Sequence, residues 1–122
     1  GRLDAMRVFG CKGEALDIAK FMFELSGAKH VVITLGEQGA VLWDGSKLHH
    51  KPACPTKVID RLGAGDALAA GVIQGWLEGD IKLGLKYGVT LAAMALSQHG
   101  DMVITTKPEM ISLANTSSTI TR

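Results

Sequence analysis

Five consecutive residues, Val31-Val32-Ile33-Thr34-Leu35, are branched at Cβ in every position but the last, and Gly36-Glu37-Gln38-Gly39 stops them at once. Two heavy atoms on Cβ crowd a helix and suit a pleated surface, so the run reads as a strand, and the glycines demand a sharp turn after it. What flanks the run sets the fold class. Before it, Leu16, Ile18, Ala19, Met22, Phe23 and Leu25 fall at helical spacing within residues 14–25, and Gly27 is placed to cap that helix. After it, residues 40–43 read as a strand that turns at Asp44-Gly45 into residues 47–50, because Asp-Gly supplies the positive φ angles of a hairpin turn. The pattern predicts an α/β chain with a hairpin inserted.

Beyond Pro52 and Pro55, residues 57–60 read as a short strand. Residues 66–78 and 81–96 are apolar on most sides and read as two largely buried helices. Thr106 followed by Pro108 signals the start of a final short helix. One α/β domain over residues 1–114 is expected, followed by a polar tail over 115–122 whose Asn115-Thr116-Ser117-Ser118-Thr119 stretch should fray.

Chemistry concentrates in Asp60-Arg61-Leu62-Gly63-Ala64-Gly65-Asp66, a small-residue loop between a strand and a helix. Such a loop lets backbone approach an anion closely, and the free amides of the next helical turn favour a phosphate. A carboxylate beside bound phosphate is electrostatically costly, and anion binding alone would favour Ser, Thr or Lys there. Asp66 therefore reads as a base that takes a proton from an attacking hydroxyl, with residues 63–65 as the hole that holds growing negative charge. The alternative is a plain turn in which Asp66 caps the following helix. A dinucleotide-binding loop fits poorly, because Leu68 stands where the third glycine of that pattern would be.

Composition narrows the field. With 122 residues, 47% hydrophobic, the chain can bury a core; its net charge of +1 with Lys and Arg scattered singly argues against nucleic acid. Cys11 and Cys54 form no paired motif, and His30, His49, His50 and His99 lack metal-ligand spacing, so no metal site is expected from the protein itself. No apolar run is long enough to cross a bilayer, and a cytoplasmic setting without membrane contact is expected. The chain starts at Gly1 and not at methionine, which suggests a cut chain or an added residue.

Thr34-Leu35-Gly36-Glu37-Gln38-Gly39-Ala40 and, with Asp66 thirty positions after Gly36, Asp60-Arg61-Leu62-Gly63-Ala64-Gly65-Asp66-Ala67 together resemble the ribokinase-like (PfkB) carbohydrate kinase family. The resemblance implies the C-terminal part of a ribokinase-like αβα sandwich, running from about Gly13 to about Met110. It implies transfer of the γ-phosphate of ATP, with Mg²⁺, to a sugar or sugar-acid hydroxyl. By it, Thr34, Leu35, Gly36, Glu37, Gln38 and Gly39 line the nucleotide, Gly63, Ala64 and Gly65 form the anion hole, and Asp66 is the catalytic base beside the substrate. Arg61 stands where the common pattern has Thr, Ser, Pro or Val, and looks like sugar-acid kinases and some fructokinases. His99-Gly100-Asp101 is similar to the Gly-Asp of 2-keto-3-deoxygluconate kinases, which implies that Asp101 contacts substrate; an aspartate closing a turn is the plainer reading. The family's N-terminal glycine signature, lid and Asn-x-x-Glu motif are not seen.

Two other functions remain open at this point: a non-catalytic nucleotide-binding module or partner-completed fragment, and a nucleoside or vitamin-precursor kinase on the same scaffold. A homo-oligomer is compatible with apolar faces that a partial fold would leave uncovered. Trp43 could stack on adenine, whereas Trp76, within a helix, reads as core. Asp60 is read as holding the loop backbone or helping to order a cation.

Overall fold

The computed structural model describes residues 1–116, 119 and 120. Where the sequence reads as one domain and a tail, the chain packs as two compact units, Gly1–Pro52 and Ala53–Arg122. Ser117 and Ser118, the middle of the stretch expected to fray, lie outside the described residues, and Ile120 beyond them is buried.

In the first unit, helix α1 (Arg2–Phe9) precedes helix α2 (Ala15–Ser26). The Asp17 carboxylate accepts the Glu14 amide at 2.9 Å at the start of α2, and Gly27, at φ 69°, closes it by donating to Phe23 O. Both ends are written in the sequence. Strands β1 (Val31–Thr34), β2 (Ala40–Trp43) and β3 (Leu48–Lys51) form an antiparallel meander in the order β1-β2-β3, with Ile33 opposite Val41 and Trp43 opposite Leu48. Ile18 and Ala19 of α2 pack with Ile33, Val41, Ala5 and Cys11 to make the core. These side chains are all non-aromatic, and Trp43 packs against them from a half-buried position.

The hairpin differs from its sequence reading in detail. Only Gly45 takes a positive φ, 97°, and β3 starts at Leu48. The Asp44 side chain explains the longer turn: Oδ1 accepts the Ser46 amide at 2.9 Å and the Lys47 amide at 2.7 Å, and Oδ2 meets His49 Nε2 at 3.0 Å. These donors, His49 first, hold the Asp44 carboxyl well below the usual carboxylate range.

The second unit contains helices α3 (Ala64–Leu77), α4 (Ile81–Leu96) and α5 (Lys107–Ala114). α4 starts on Asp80, whose carboxylate accepts the Leu83 amide, and α5 on Thr106, whose hydroxyl accepts the Glu109 amide. Helices α3 and α4 meet through glycine: Gly71 lies against the backbone of Gly88, and Gly75 against that of Gly84. Ala93, Met94 and Ile120 form a small core with Cys54, Leu91, Val103 and Leu113 around it.

Two expectations are corrected here. Residues 57–60 form no strand; Thr56 makes a single parallel bridge with Ile120, and the amides of Ile59 and Asp60 donate to Leu96 O, at the end of α4, so no ladder can extend. α3 is also not largely buried. Trp76 is 57% exposed, with Ile73 and Leu77 beside it, because at 3.6 residues per turn these three lie on the side away from Leu68, Gly71 and Gly75.

Candidate functional site

The strand-to-turn motif sits in the first unit. β1 ends at Thr34, and Gly36–Gln38 forms one turn of 3₁₀ helix. The Leu35 amide donates to Gly39 O at 2.8 Å and the Gly39 amide to Gly36 O at 3.0 Å, which folds the loop back on itself. Such a closure needs φ 60° at Gly36 and φ 91° with ψ −130° at Gly39, conformations that favour glycine strongly. His50 Nε2 lies 2.8 Å from Gln38 O and ties β3 to the turn. Glu37 and Gln38 are exposed, so their side chains are free to meet a ligand. Residues 34–38 form one wall of a cleft of about 640 Å³, whose other wall is Gly1, Arg2, Leu3, Asp4 and Arg7. That volume lies within the range of small-molecule sites.

The glycine loop sits in the second unit. α3 opens on Gly63, in the left-handed region at φ 86°, so Ala64, Gly65 and Asp66 are its first three residues. Asp66 is thus not the capping residue that the plain-turn reading required. The amides of residues 64–66 have no carbonyl four residues back within the helix, and they point out of its positive end. Asp66 is exposed, and its carboxylate has no hydrogen-bond or ion-pair partner among the described residues. Open backbone amides and an unpartnered carboxylate therefore share one helical turn.

A second segment completes this corner. A β-carbon at Gly63 would lie 2.5 Å from Asp101 O and 2.8 Å from Asp101 Cα, so Gly63 is required both by its φ and by the close approach of the Asp101 backbone. Asp60 fastens the two segments: Oδ1 accepts the Leu62 amide at 3.0 Å, and Oδ2 accepts the Gly100 amide at 3.1 Å. These two amides, with His99 adding a weaker attraction, lower the Asp60 pKa. Asp101 is thereby brought beside residues 63–66, with its side chain exposed. Asp60→Ala is expected to speed hydrogen exchange at the Leu62 and Gly100 amides together. Asp60→Asn, which keeps one acceptor oxygen and replaces the other with a donor, is expected to protect only one of them, as amide exchange read by NMR would show.

Among the described residues no group of three His, Cys, Asp or Glu side chains is placed to hold a metal, and no helix is long and apolar enough to cross a membrane. Sequence reasoning located every glycine that shapes the two loops. It missed α1 and the arginines that α1 brings to the cleft; Leu3, Ala5 and Met6 ahead of Gly10, which caps the helix at φ 69°, were the available signal.

This arrangement of short helices, antiparallel strands and a glycine-opened helix has the ribokinase fold. 2-Dehydro-3-deoxygluconokinase of Thermotoga maritima superposes with a TM-score of 0.77 over 93% of this chain and 39% of that one, at 23% identity. Residues 4–108 match the model of the pfkB family carbohydrate kinases, and the chain belongs to that family. The match takes in residues 4–9 of α1, ahead of Gly13 where the resemblance was expected to begin. Fructoselysine 6-kinase of Shigella flexneri is 36% identical over 88 residues, covering 71% of this chain and 34% of the relative. 2-Dehydro-3-deoxygalactonokinase of Haloferax volcanii is 31% identical over 111 residues, covering 88% and 34%. The chain thus spans about a third of the length of these curated relatives.

Proposed function

We propose that this chain is the nucleotide-binding and catalytic-base portion of a cytoplasmic ATP-dependent kinase, with 2-keto-3-deoxygluconate as the preferred acceptor. The observation that carries the reading is the first turn of α3, where open amides at residues 64–66 accompany the exposed, unpartnered carboxylate of Asp66. In this reading Asp66 takes the proton of the acceptor hydroxyl as its oxygen attacks the γ-phosphorus of ATP. The bond from that phosphorus to the bridging oxygen breaks, and ADP leaves. The amides of residues 63–65, of which those of Ala64 and Gly65 open the first turn of α3, hold the charge on the transferred group. Thr34, Leu35, Gly36, Glu37, Gln38 and Gly39 line the nucleotide. Magnesium brought with ATP would offset negative charge on the phosphates and would need few ligands from the chain, since this ion usually keeps several waters. Asp101, held beside Gly63, contacts the acceptor. The sugar-acid preference is supported by Arg61 and by relatives named for deoxy sugar acids.

Acceptor-dependent ADP release is the test. A polypeptide of the relatives' full length carrying this segment is expected to favour 2-keto-3-deoxygluconate over fructoselysine, ribose and cytidine by about tenfold or more in kcat/KM. The 122-residue chain alone is expected to show little or no turnover. Nucleotide binding by the long form with no acceptor-dependent turnover would make this a binding module instead. Preference for another acceptor would keep the kinase reading and remove the sugar-acid one.

A further inference from the structure

We propose that Arg2 and Arg7 of α1 grip the polyphosphate of the nucleotide whose other contacts come from residues 34–38. The proposal rests on the nucleotide reading of that loop and assigns it a second wall.

The cleft in the first unit places Arg2 and Arg7 on the wall that faces Thr34 to Gln38. Asp4 and Glu37 line the same cleft, yet neither guanidinium forms an ion pair or hydrogen bond among the described residues. A ligand carrying several negative charges would supply the counter-charge that neither guanidinium finds among the described residues. The guanidinium is a planar fork of donors that stays charged at any working pH and pairs with phosphate through two hydrogen bonds at once. The acidic side chains on the same lining disfavour a bare anion. They supply acceptors for hydroxyl groups, so the lining as a whole fits a nucleoside polyphosphate, with ribose toward carboxylate and phosphate toward arginine. Leu3 and Leu35 give the cleft an apolar surface as well. The core anchors α1 beneath the cleft, since Ala5, on the turn between the two arginines, is buried with Ile18 and Ile33.

NMR titration of the ¹⁵N-labelled chain with ATP, adenosine and inorganic tripolyphosphate tests this, because it reads weak binding residue by residue. ATP is expected to shift the amides of both residues 2–7 and 34–38, and to bind about tenfold more tightly than adenosine. The double variant Arg2→Gln, Arg7→Gln is expected to lose that advantage while its affinity for adenosine is unchanged, and Arg2→Lys, Arg7→Lys to restore part of it. If the double glutamine variant loses the α1 resonances, Arg7→Gln alone, on an exposed last turn, carries the comparison. Full ATP affinity in the glutamine variant, with the shifts at 34–38 intact, would overturn the arginine assignment and leave the nucleotide reading standing. Absence of any shift at 34–38 with either ATP or adenosine would remove both. Tripolyphosphate binding as tightly as ATP, without loop shifts, would replace the proposal with a simple anion site.

Discussion

Asp66→Asn, introduced into a polypeptide of the relatives' full length, is expected to lower kcat by about two to four orders of magnitude while ATP affinity stays near its original value. Asparagine has the shape of aspartate and cannot accept a proton at neutral pH. The substitution therefore removes the proton acceptor proposed at this position, together with its negative charge, and leaves the main chain as it was. The amides of residues 64–66 are main-chain groups and keep their orientation, because α3 opens on Gly63 and does not depend on the Asp66 side chain for a cap. Stability should be preserved for the same reason, as that carboxylate is exposed and without a partner among the described residues. Steady-state rates at saturating acceptor, with calorimetric titration of ATP, separate the two quantities. An unchanged kcat would put the base elsewhere; a loss of ATP binding equal to the loss of rate would make Asp66 a binding residue.

Gly75→Ala is expected to have the largest effect on stability, about 3 kcal/mol or more, enough to leave much of the second unit unfolded. A β-carbon at Gly75 would overlap Gly84 Cα and N and lie 2.9 Å from Asp80 O. All three are backbone atoms, which cannot swing aside as a side chain can. Relief would require α3 and α4 to separate, breaking the neighbouring contact of Gly71 with Gly88. Gly65→Ala is the internal control: nothing lies within 4 Å of a β-carbon there, the residue is helical, and alanine loses less chain entropy on folding. The same one-methyl change should thus be neutral or mildly stabilising at position 65. Urea unfolding followed by circular dichroism measures both. Equal midpoints for the two variants would show that the helices are not in backbone contact.

Features set by a single residue's backbone chemistry were legible in the sequence. Gly27 ended α2, Thr106 began α5, and Gly36, Gly39 and Gly63 took the positive φ angles that their loops require. Features that depend on a partner distant in sequence were not. Residues 57–60 have strand-like composition, but a strand exists only beside another, and here Leu96 O takes the amides. Trp76 has core chemistry, yet its place on α3 follows from which face the glycines press against α4, and that is a fact about two helices together. The same division holds for the candidate site. Asp66 and the two glycine motifs announce themselves, whereas the cleft-lining role of Arg2 and Arg7 and the bond from Gly100 to Asp60 arise only when separate segments fold against one another.

The division of the chain after Pro52 also places its two tryptophans, one in each compact unit. Trp43 is half-buried on β2 with the Lys20 ammonium 5.2 Å from its ring centre, while Trp76 stands mostly in water on α3. The two indoles therefore differ in polarity and in access to a dissolved quencher. Each unit carries its own optical reporter, and a pair of single-tryptophan variants would distinguish melting in one step from melting in two.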